Sequence, residues 1–241
     1  MHSFKNQIAV VTGASSGIGK AIALGLSTQG ARLCLLGRKL EILEEVAKDA
    51  RSMGGYAKSY QVDLMLDKGI MESADRLKQD LGHVDVLIHS AGVISIGEFN
   101  LAPVDDFDWQ YKINVRAPYI LTQALLPIMK SCQGQIVFIN SSAVLNARAN
   151  VGQYAATKHA LKAIADSLRE EVNADGLRVL NVFLGRTATP MQEALHKMEG
   201  RAYHPERLMQ PEDVAAVVIN ALNLPRTAEV TDIYVRPLHK L

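Results

Sequence analysis

The sequence predicts a single α/β domain, a doubly wound parallel sheet of about seven strands with helices on both faces. Three observations carry that expectation. Short apolar runs alternate with longer stretches of helical periodicity along the whole chain. The apolar runs are continuous rather than alternating, as expected of strands covered on both faces. No repeat, low-complexity tract or linker interrupts the 241 residues, so the alternation belongs to one unit, residues 1–241.

Residues 8–11 (Ile-Ala-Val-Val) read as the first strand. Thr12-Gly13-Ala14-Ser15-Ser16-Gly17-Ile18-Gly19 follows, then a helix over 20–29 closed by Gly30. Between a strand and a helix, such glycines have a chemical meaning. Gly13 permits a tight turn, Gly17 lets backbone N–H groups approach a diphosphate, and Gly19 lets the helix lie close to the sheet. An ordinary glycine-rich turn fits the same residues. The spacing is G-x-x-x-G-x-G, not the G-x-G-x-x-G of the commonest dinucleotide fingerprint.

Residues 32–36 form the second strand, followed by Gly37-Arg38-Lys39 and a helix with Leu40, Leu43, Val46 and Ala47 on one face. A carboxylate at this strand end would accept from a free ribose 2′-hydroxyl. Arg38 stands there instead and suits a 2′-phosphate, so NADP(H) is expected over NAD(H). The alternative is a solvated pair, Arg38 and Lys39, at a helix start, where the dipole does not favour cations. Residues 57–64 are the third strand, ending in Asp63, which either accepts from an adenine amine or caps the helix over 67–81. Residues 84–88 are the fourth strand, and the small residues of His89-Ser90-Ala91-Gly92 after it let a ligand pass close to the backbone.

A long helical pattern covers 104–130, with Asn114 inside it and Ile120, Leu121, Ala124, Leu125 and Ile128 as its apolar stripe. Pro118 and Pro127 are expected to bend or bound it. Asn114 is a poor helix-interior residue, either tolerated at the surface or needed inside. Residues 135–139 are the fifth strand, ending in Asn140-Ser141-Ser142-Ala143; 178–183 are the sixth, ending in 184–190. A short amphipathic helix over 191–200 presents Met191, Leu195 and Met198, either to the core or as a lid over a site. A helix over 211–222, begun by Pro211 and two acids, and a strand over 230–235 complete the chain.

Gln153-Tyr154-Ala155-Ala156-Thr157-Lys158 opens another helix, whose apolar run is Ala160, Leu161, Ile164, Leu168 and Val172. Residues i and i+4 share a helix face, so the phenol and the ammonium stand side by side. A free tyrosine has a pKa of about 10, too high for proton transfer near neutrality. A fixed cation beside it favours the phenolate. Alone, the pair reads as surface packing, because short motifs match by accident; the rest of the chain reverses that reading.

Composition narrows the function. A net charge of +1 removes the electrostatic case for nucleic-acid or membrane-surface binding. No run is apolar enough to span a bilayer, and the first residues lack the core of a secretion signal. Cys34 and Cys132 lie far apart and suit a reducing cytoplasmic setting, and the seven histidines show no ligand spacing, so no metal is expected.

Taken together, these motifs resemble the classical short-chain dehydrogenase/reductase (SDR) family, whose domain is a Rossmann-type fold. The glycine loop of residues 12–19 matches T-G-x-x-x-G-[hydrophobic]-G in full. Asp63 matches the adenine-contacting aspartate, and Ser90-Ala91-Gly92 most of N-N-A-G, with His89 and Ser90 in place of the asparagines. Asn114, Tyr154 and Lys158 match the family's asparagine and Y-x-x-x-K. The family serine lies thirteen residues before the tyrosine, which selects Ser141 over Ser142. Gly185 and Thr187 match the P-G-x-x-x-T region with Leu184 for proline, and Val144 stands where glycine is frequent.

The resemblance implies an NADP(H)-dependent oxidoreductase interconverting a carbonyl compound and its alcohol, with a catalytic set of Asn114, Ser141, Tyr154 and Lys158. Cofactor contacts would come from Gly13, Ser15, Ser16, Gly17, Ile18, Gly19, Arg38, Asp63, Leu64, Ser90, Ala91, Gly92, Tyr154, Lys158, Gly185 and Thr187. Val144, Leu145, Arg148, Val151, Thr189, Met191, Leu195 and His196 are expected to face the substrate, with a small lid near 186–210. The family also implies a homodimer or homotetramer. The alternative is a non-catalytic NADP(H)-binding regulatory module, which would need the glycine loop but not Ser141 and Tyr154 together.

Overall fold

The computed structural model describes residues 3–238. Met1, His2 and residues 239–241, which the one-domain reading includes, lie outside the described residues. Seven strands, β1 (Ile8–Thr12), β2 (Arg32–Gly37), β3 (Tyr56–Gln61), β4 (Val86–His89), β5 (Gln135–Ser141), β6 (Arg178–Leu184) and β7 (Asp232–Val235), form one sheet in the order β3-β2-β1-β4-β5-β6-β7. Every pairing is parallel. The helices are α1 (Gly17–Thr28), α2 (Leu40–Ser52), α3 (Asp67–Leu81), α4 (Val104–Tyr111), α5 (Ala117–Lys130), α6 (Gly152–Val172), α7 (Pro190–Met198) and α8 (Pro211–Leu222).

Along β1, Ala9 and Val11 join one core with Leu26, Leu43 and Val214; Ile8 and Val10 join the other with Ile70, Leu121 and Leu161. Two-sided burial is the physical reason for the unbroken apolar runs, and each fully buried Leu or Ile contributes about 1.5–3 kcal/mol. The chain travels from β1 out to β3, then restarts at β4 on the other side of β1. The strand order therefore reverses between Thr12 and His89, which are register partners. In an open parallel sheet the ligand crevice opens at that switch, beyond the carboxyl ends of the strands.

The structure redraws several boundaries. β3 stops at Gln61, not 64, because Asp63 turns the chain by accepting from the Met65 N–H at 3.0 Å. β5 continues to Ser141, so the candidate serine ends a strand. The expected helix over 104–130 is broken into α4, a π-helical turn (Lys112–Arg116) and α5. Pro118 accounts for the break: without an N–H it cannot close the α-helical bond to the Asn114 carbonyl. Pro127 lies inside α5 without ending it; the carbonyl it leaves unpaired belongs to exposed Gln123, where water can serve. No helix among the described residues is long and apolar enough to cross a membrane.

Candidate active site

The π-helical turn places Asn114 inside the molecule, 1% exposed. Its Oδ1 accepts from the Val93 N–H at 2.8 Å, and its Nδ2 donates to the Val93 carbonyl at 2.9 Å and to Thr157 Oγ1 at 3.1 Å. Thr157 Oγ1 in turn donates to the Tyr154 carbonyl at 2.8 Å. One buried amide thus ties the segment after β4 to the second turn of α6, between Tyr154 and Lys158.

Lys158 is buried, and its Nζ donates to the Ile139 carbonyl at 3.1 Å and lies 5.8 Å from the centre of the Tyr154 ring. Burial pushes its pKa down to about 8. Burial also pushes the Tyr154 phenol up, opposed by a hydrogen bond with Ser141. The lowering of the phenol expected from the neighbouring ammonium is not what this geometry gives. Lys158 is bonded to a backbone carbonyl rather than the phenol oxygen, and desolvation weakens its own charge. Asn140 supports the arrangement: its Oδ1 accepts from the Ser141 N–H at 2.8 Å and its Nδ2 donates to the Lys158 carbonyl at 3.3 Å. Ser141 Oγ accepts from the Ala143 N–H at 3.2 Å and caps the short turn Ser142–Val144. Ser142 and Val144 lie in that turn, and Ser141 is the serine hydrogen-bonded to the phenol.

Across the switch point lies the glycine loop. Gly13 has φ +66°, and a Cβ there would stand 2.8 Å from the Ala91 backbone; one on Gly19 would stand 2.4 Å from the Gly13 carbonyl. Thr12 Oγ1 accepts from the N–H groups of Ser90 and Ala91 at 3.1 and 3.2 Å, locking the loop after β4 against it. Ser16 begins α1 without a side-chain cap, which leaves the first amides of the helix for an anion. A backbone cradle that side chains would fill fits a diphosphate. Gly19→Ala is expected to raise the Kd for a dinucleotide at least about tenfold, because the methyl forces the loop out of that shape; fluorescence titration checks it, and an unchanged Kd would remove the cradle.

The comparisons meet this geometry. A family model described as short chain dehydrogenase matches residues 7–200. The chain belongs to the short-chain dehydrogenase family. An uncharacterized oxidoreductase of Staphylococcus epidermidis is 31% identical over 99% of this chain and 100% of its own length. A metagenomic short-chain oxidoreductase solved in complex with NADP is 32% identical, covering 99% of this chain and 100% of its own, with a TM-score of 0.86. A short-chain dehydrogenase of Shigella flexneri complexed with NADP is 29% identical, covering 97% and 98%, with a TM-score of 0.88.

Against the short-chain dehydrogenase pattern, most expected residues converge on the switch point and a few do not. A Cβ on Gly92 would lie 3.5 Å from Asn114 Oδ1 and 3.8 Å from Lys158 Nζ, and Ser90 Oγ lies beside Gly19. Ser15 and Ile18 are half-buried at the loop, and Leu64 lines a small cavity with Thr12, His89 and Ala91. Asp63 caps its own turn rather than α3, whose N-cap is Leu66. Arg38 is exposed at the end of β2, its carbonyl held by Gln61 Nε2 at 3.0 Å.

His89 is buried against Phe138, with Nε2 2.7 Å from Thr122 Oγ1; burial pushes its pKa down to about 3, so the ring is neutral. Leu184 continues β6 in register with Val235, and the Gly185 N–H bonds the Val235 carbonyl at 2.8 Å. Thr187 is 4% exposed, its hydroxyl donates to the Gly185 carbonyl, and its backbone bridges Met209. Thr189 packs on the glycine loop, its methyl 3.0 Å from where a Cβ on Gly17 would stand. The P-G-x-x-x-T spacing, counted from Gly185, falls on 189. His196 and Leu195, expected toward the substrate, are buried within the 186–210 segment, while Leu145 and Arg148 are exposed. The sequence reading assigned no role to Thr157, Asn140 or Arg186; Asn140 directly follows the apolar run 136–139, and no such signal marks the other two.

Proposed function

We propose that this chain is an NADP(H)-dependent oxidoreductase that interconverts a carbonyl compound and its alcohol, with Tyr154 as general acid in reduction and base in oxidation. The observation that carries the reading is the convergence of Tyr154, Ser141, Lys158 and Asn114 beside the glycine loop at the sheet's switch point. When bound, the dinucleotide supplies or takes up the hydride. Ser141 donates to the substrate oxygen and orients it toward the phenol. Tyr154 passes its proton to that oxygen as it gains charge. Lys158, whose Nζ lies 5.8 Å from the centre of the Tyr154 ring, would hold a ribose hydroxyl of the bound dinucleotide. Proton resupply runs from Lys158 through a water held by the Asn114 carbonyl, for which Pro118 provides no amide.

NADP(H) is favoured by Arg38 at the end of β2 and by the absence of a carboxylate there. Solved relatives in complex with NADP support the same choice. Arg38→Asp is expected to raise the NADPH Kd about tenfold or more and to improve NADH binding; an unchanged Kd ratio would sink this preference. The mostly apolar surroundings, Met191 among them, suit a compact carbonyl compound with a hydrophobic body. Free Cys34 and Cys132 suit a cytoplasmic protein, and a homodimer or homotetramer is expected. Purified protein given NADPH and a panel of ketones tests the whole reading: NADPH oxidation that depends on the carbonyl supports it, and cofactor binding without any turnover overturns it.

A further inference from the structure

The segment after β6 holds a polar cluster that the chemistry above does not use. It leaves the sheet at Arg186 and returns at Met209, where the Ala188 N–H donates to the Met209 carbonyl at 2.8 Å and the Met209 N–H to the Arg186 carbonyl at 3.3 Å. Between those points lies α7. Arg186 Nη2 donates to both oxygens of Glu199 at 2.8 and 2.9 Å, and its Nη1 donates to His196 Nε2 at 3.1 Å. A ring nitrogen that accepts from a guanidinium carries no proton. The imidazole proton therefore sits on Nδ1 and is donated to the Gln192 carbonyl at 2.8 Å. The edge of Tyr203 closes over the ring, with centroids 5.3 Å apart. His196 is 4% exposed, and the Arg186 and Glu199 side chains are 22% and 21% exposed.

The cluster holds the far end of a helix whose near end touches the site. Thr189 caps α7 by accepting from the Gln192 N–H at 3.2 Å and packs on Gly17. Two positions on, Met191 brings its Cε to 4.0 Å from a Cβ built on Gly92, which would itself stand 3.8 Å from Lys158 Nζ. Met191 thus overhangs the Lys158 side of the site. Apolar packing would hold α7 with a smaller desolvation cost than a half-buried ion pair. A guanidinium shared between a carboxylate and a ring nitrogen fixes one geometry, which apolar contacts do not.

We propose that Arg186, acting through Glu199 and His196, is a positioning residue that sets the height of α7 above the site and so decides how large a carbonyl compound fits beneath Met191. The inference rests on the oxidoreductase reading for its substrate, while the clasp itself has a readout without turnover. Glu199→Gln, Arg186→Met and the double variant are compared with wild type on a series of aliphatic ketones of rising length. Each single variant is expected to raise KM for the best short ketone about tenfold, with kcat and NADPH Kd within about twofold.

The length preference flattens, and the second substitution adds little to the first, since both undo one clasp. Amide hydrogen exchange over residues 190–199 speeds up in all three variants. Unchanged exchange, or losses that add in full, overturns the proposal whatever the turnover. Faster exchange in the variants together with a wild type that reduces no carbonyl overturns the oxidoreductase reading and leaves the clasp supported.

Discussion

Tyr154→Phe is expected to lower kcat for carbonyl reduction by about a hundredfold to ten-thousandfold, the range that a positioned general acid contributes, while the NADPH Kd stays within about twofold. The substitution removes one oxygen and keeps the ring. That oxygen is hydrogen-bonded to Ser141, and no other ionisable group among the described residues shares that bond, so no neighbour inherits its role. Lys158 cannot substitute: its Nζ is bonded to the Ile139 carbonyl and stands 5.8 Å from the ring centre. Burial raises the phenol's pKa, so at neutral pH the group is protonated, the state a proton donor needs. The reduction rate is therefore expected to hold level through neutral pH and to fall only in alkali. Single-turnover oxidation of bound NADPH measures the step directly, and fluorescence titration measures the cofactor. A variant that keeps more than about a tenth of the wild-type rate is outside the range for a lost general acid and would remove Tyr154 from the chemistry.

The parts of this site that could be read in the sequence are those set by local pattern. Continuous apolar runs gave strands buried on both faces, and Gly13, Gly17 and Gly19 stand where a side chain would strike the backbone or Thr189. Tyr154 and Lys158 share a helix face by spacing alone. The parts that escaped depend on contacts between distant segments. Asn114 read as an awkward residue in a long helix; its reason is Val93 and Thr157, twenty-one and forty-three residues away. Pro118 was legible as a helix breaker, yet the break falls ahead of it as a π-helical turn, because a proline withholds a bond from the residue four positions earlier. Counted from Gly185, the spacing of the P-G-x-x-x-T pattern already selects Thr189 over Thr187. The pairing of Thr187 with Met209 and the packing of Thr189 on Gly17 agree with that count. The phenol's direction of shift escaped because spacing gives proximity, whereas burial of both partners decides which charge survives.

Burial of Lys158 has a measurable consequence for stability. Its pKa falls from 10.5 in a free lysine to about 8 in the fold. Between those values the unfolded chain binds more protons than the folded one, so stability gained from this group rises with pH across that window. Below it the ammonium is charged in both states and its full desolvation penalty, about 3 kcal/mol, is present. Lys158→Met deletes that penalty but leaves the Ile139 carbonyl without its donor, a loss of about 1–3 kcal/mol. The two effects nearly offset at neutral pH, so the absolute change in stability decides nothing. The pH dependence does decide.

The carbonyl's loss is the same at every pH, whereas the removed penalty fades as the wild-type lysine discharges. Urea unfolding of both proteins is expected to show the variant's stability relative to wild type falling by about 3 kcal/mol from about pH 7.5 to about pH 10.5. Taking the difference cancels the tyrosines, cysteines and other lysines that titrate in the same range. A difference that stays flat would mean that Lys158 is solvated and that its charge is not held at a cost. The same variant is expected to lose turnover across the whole pH range whatever its stability relative to wild type, because the proposed chemistry needs that amine beside the phenol.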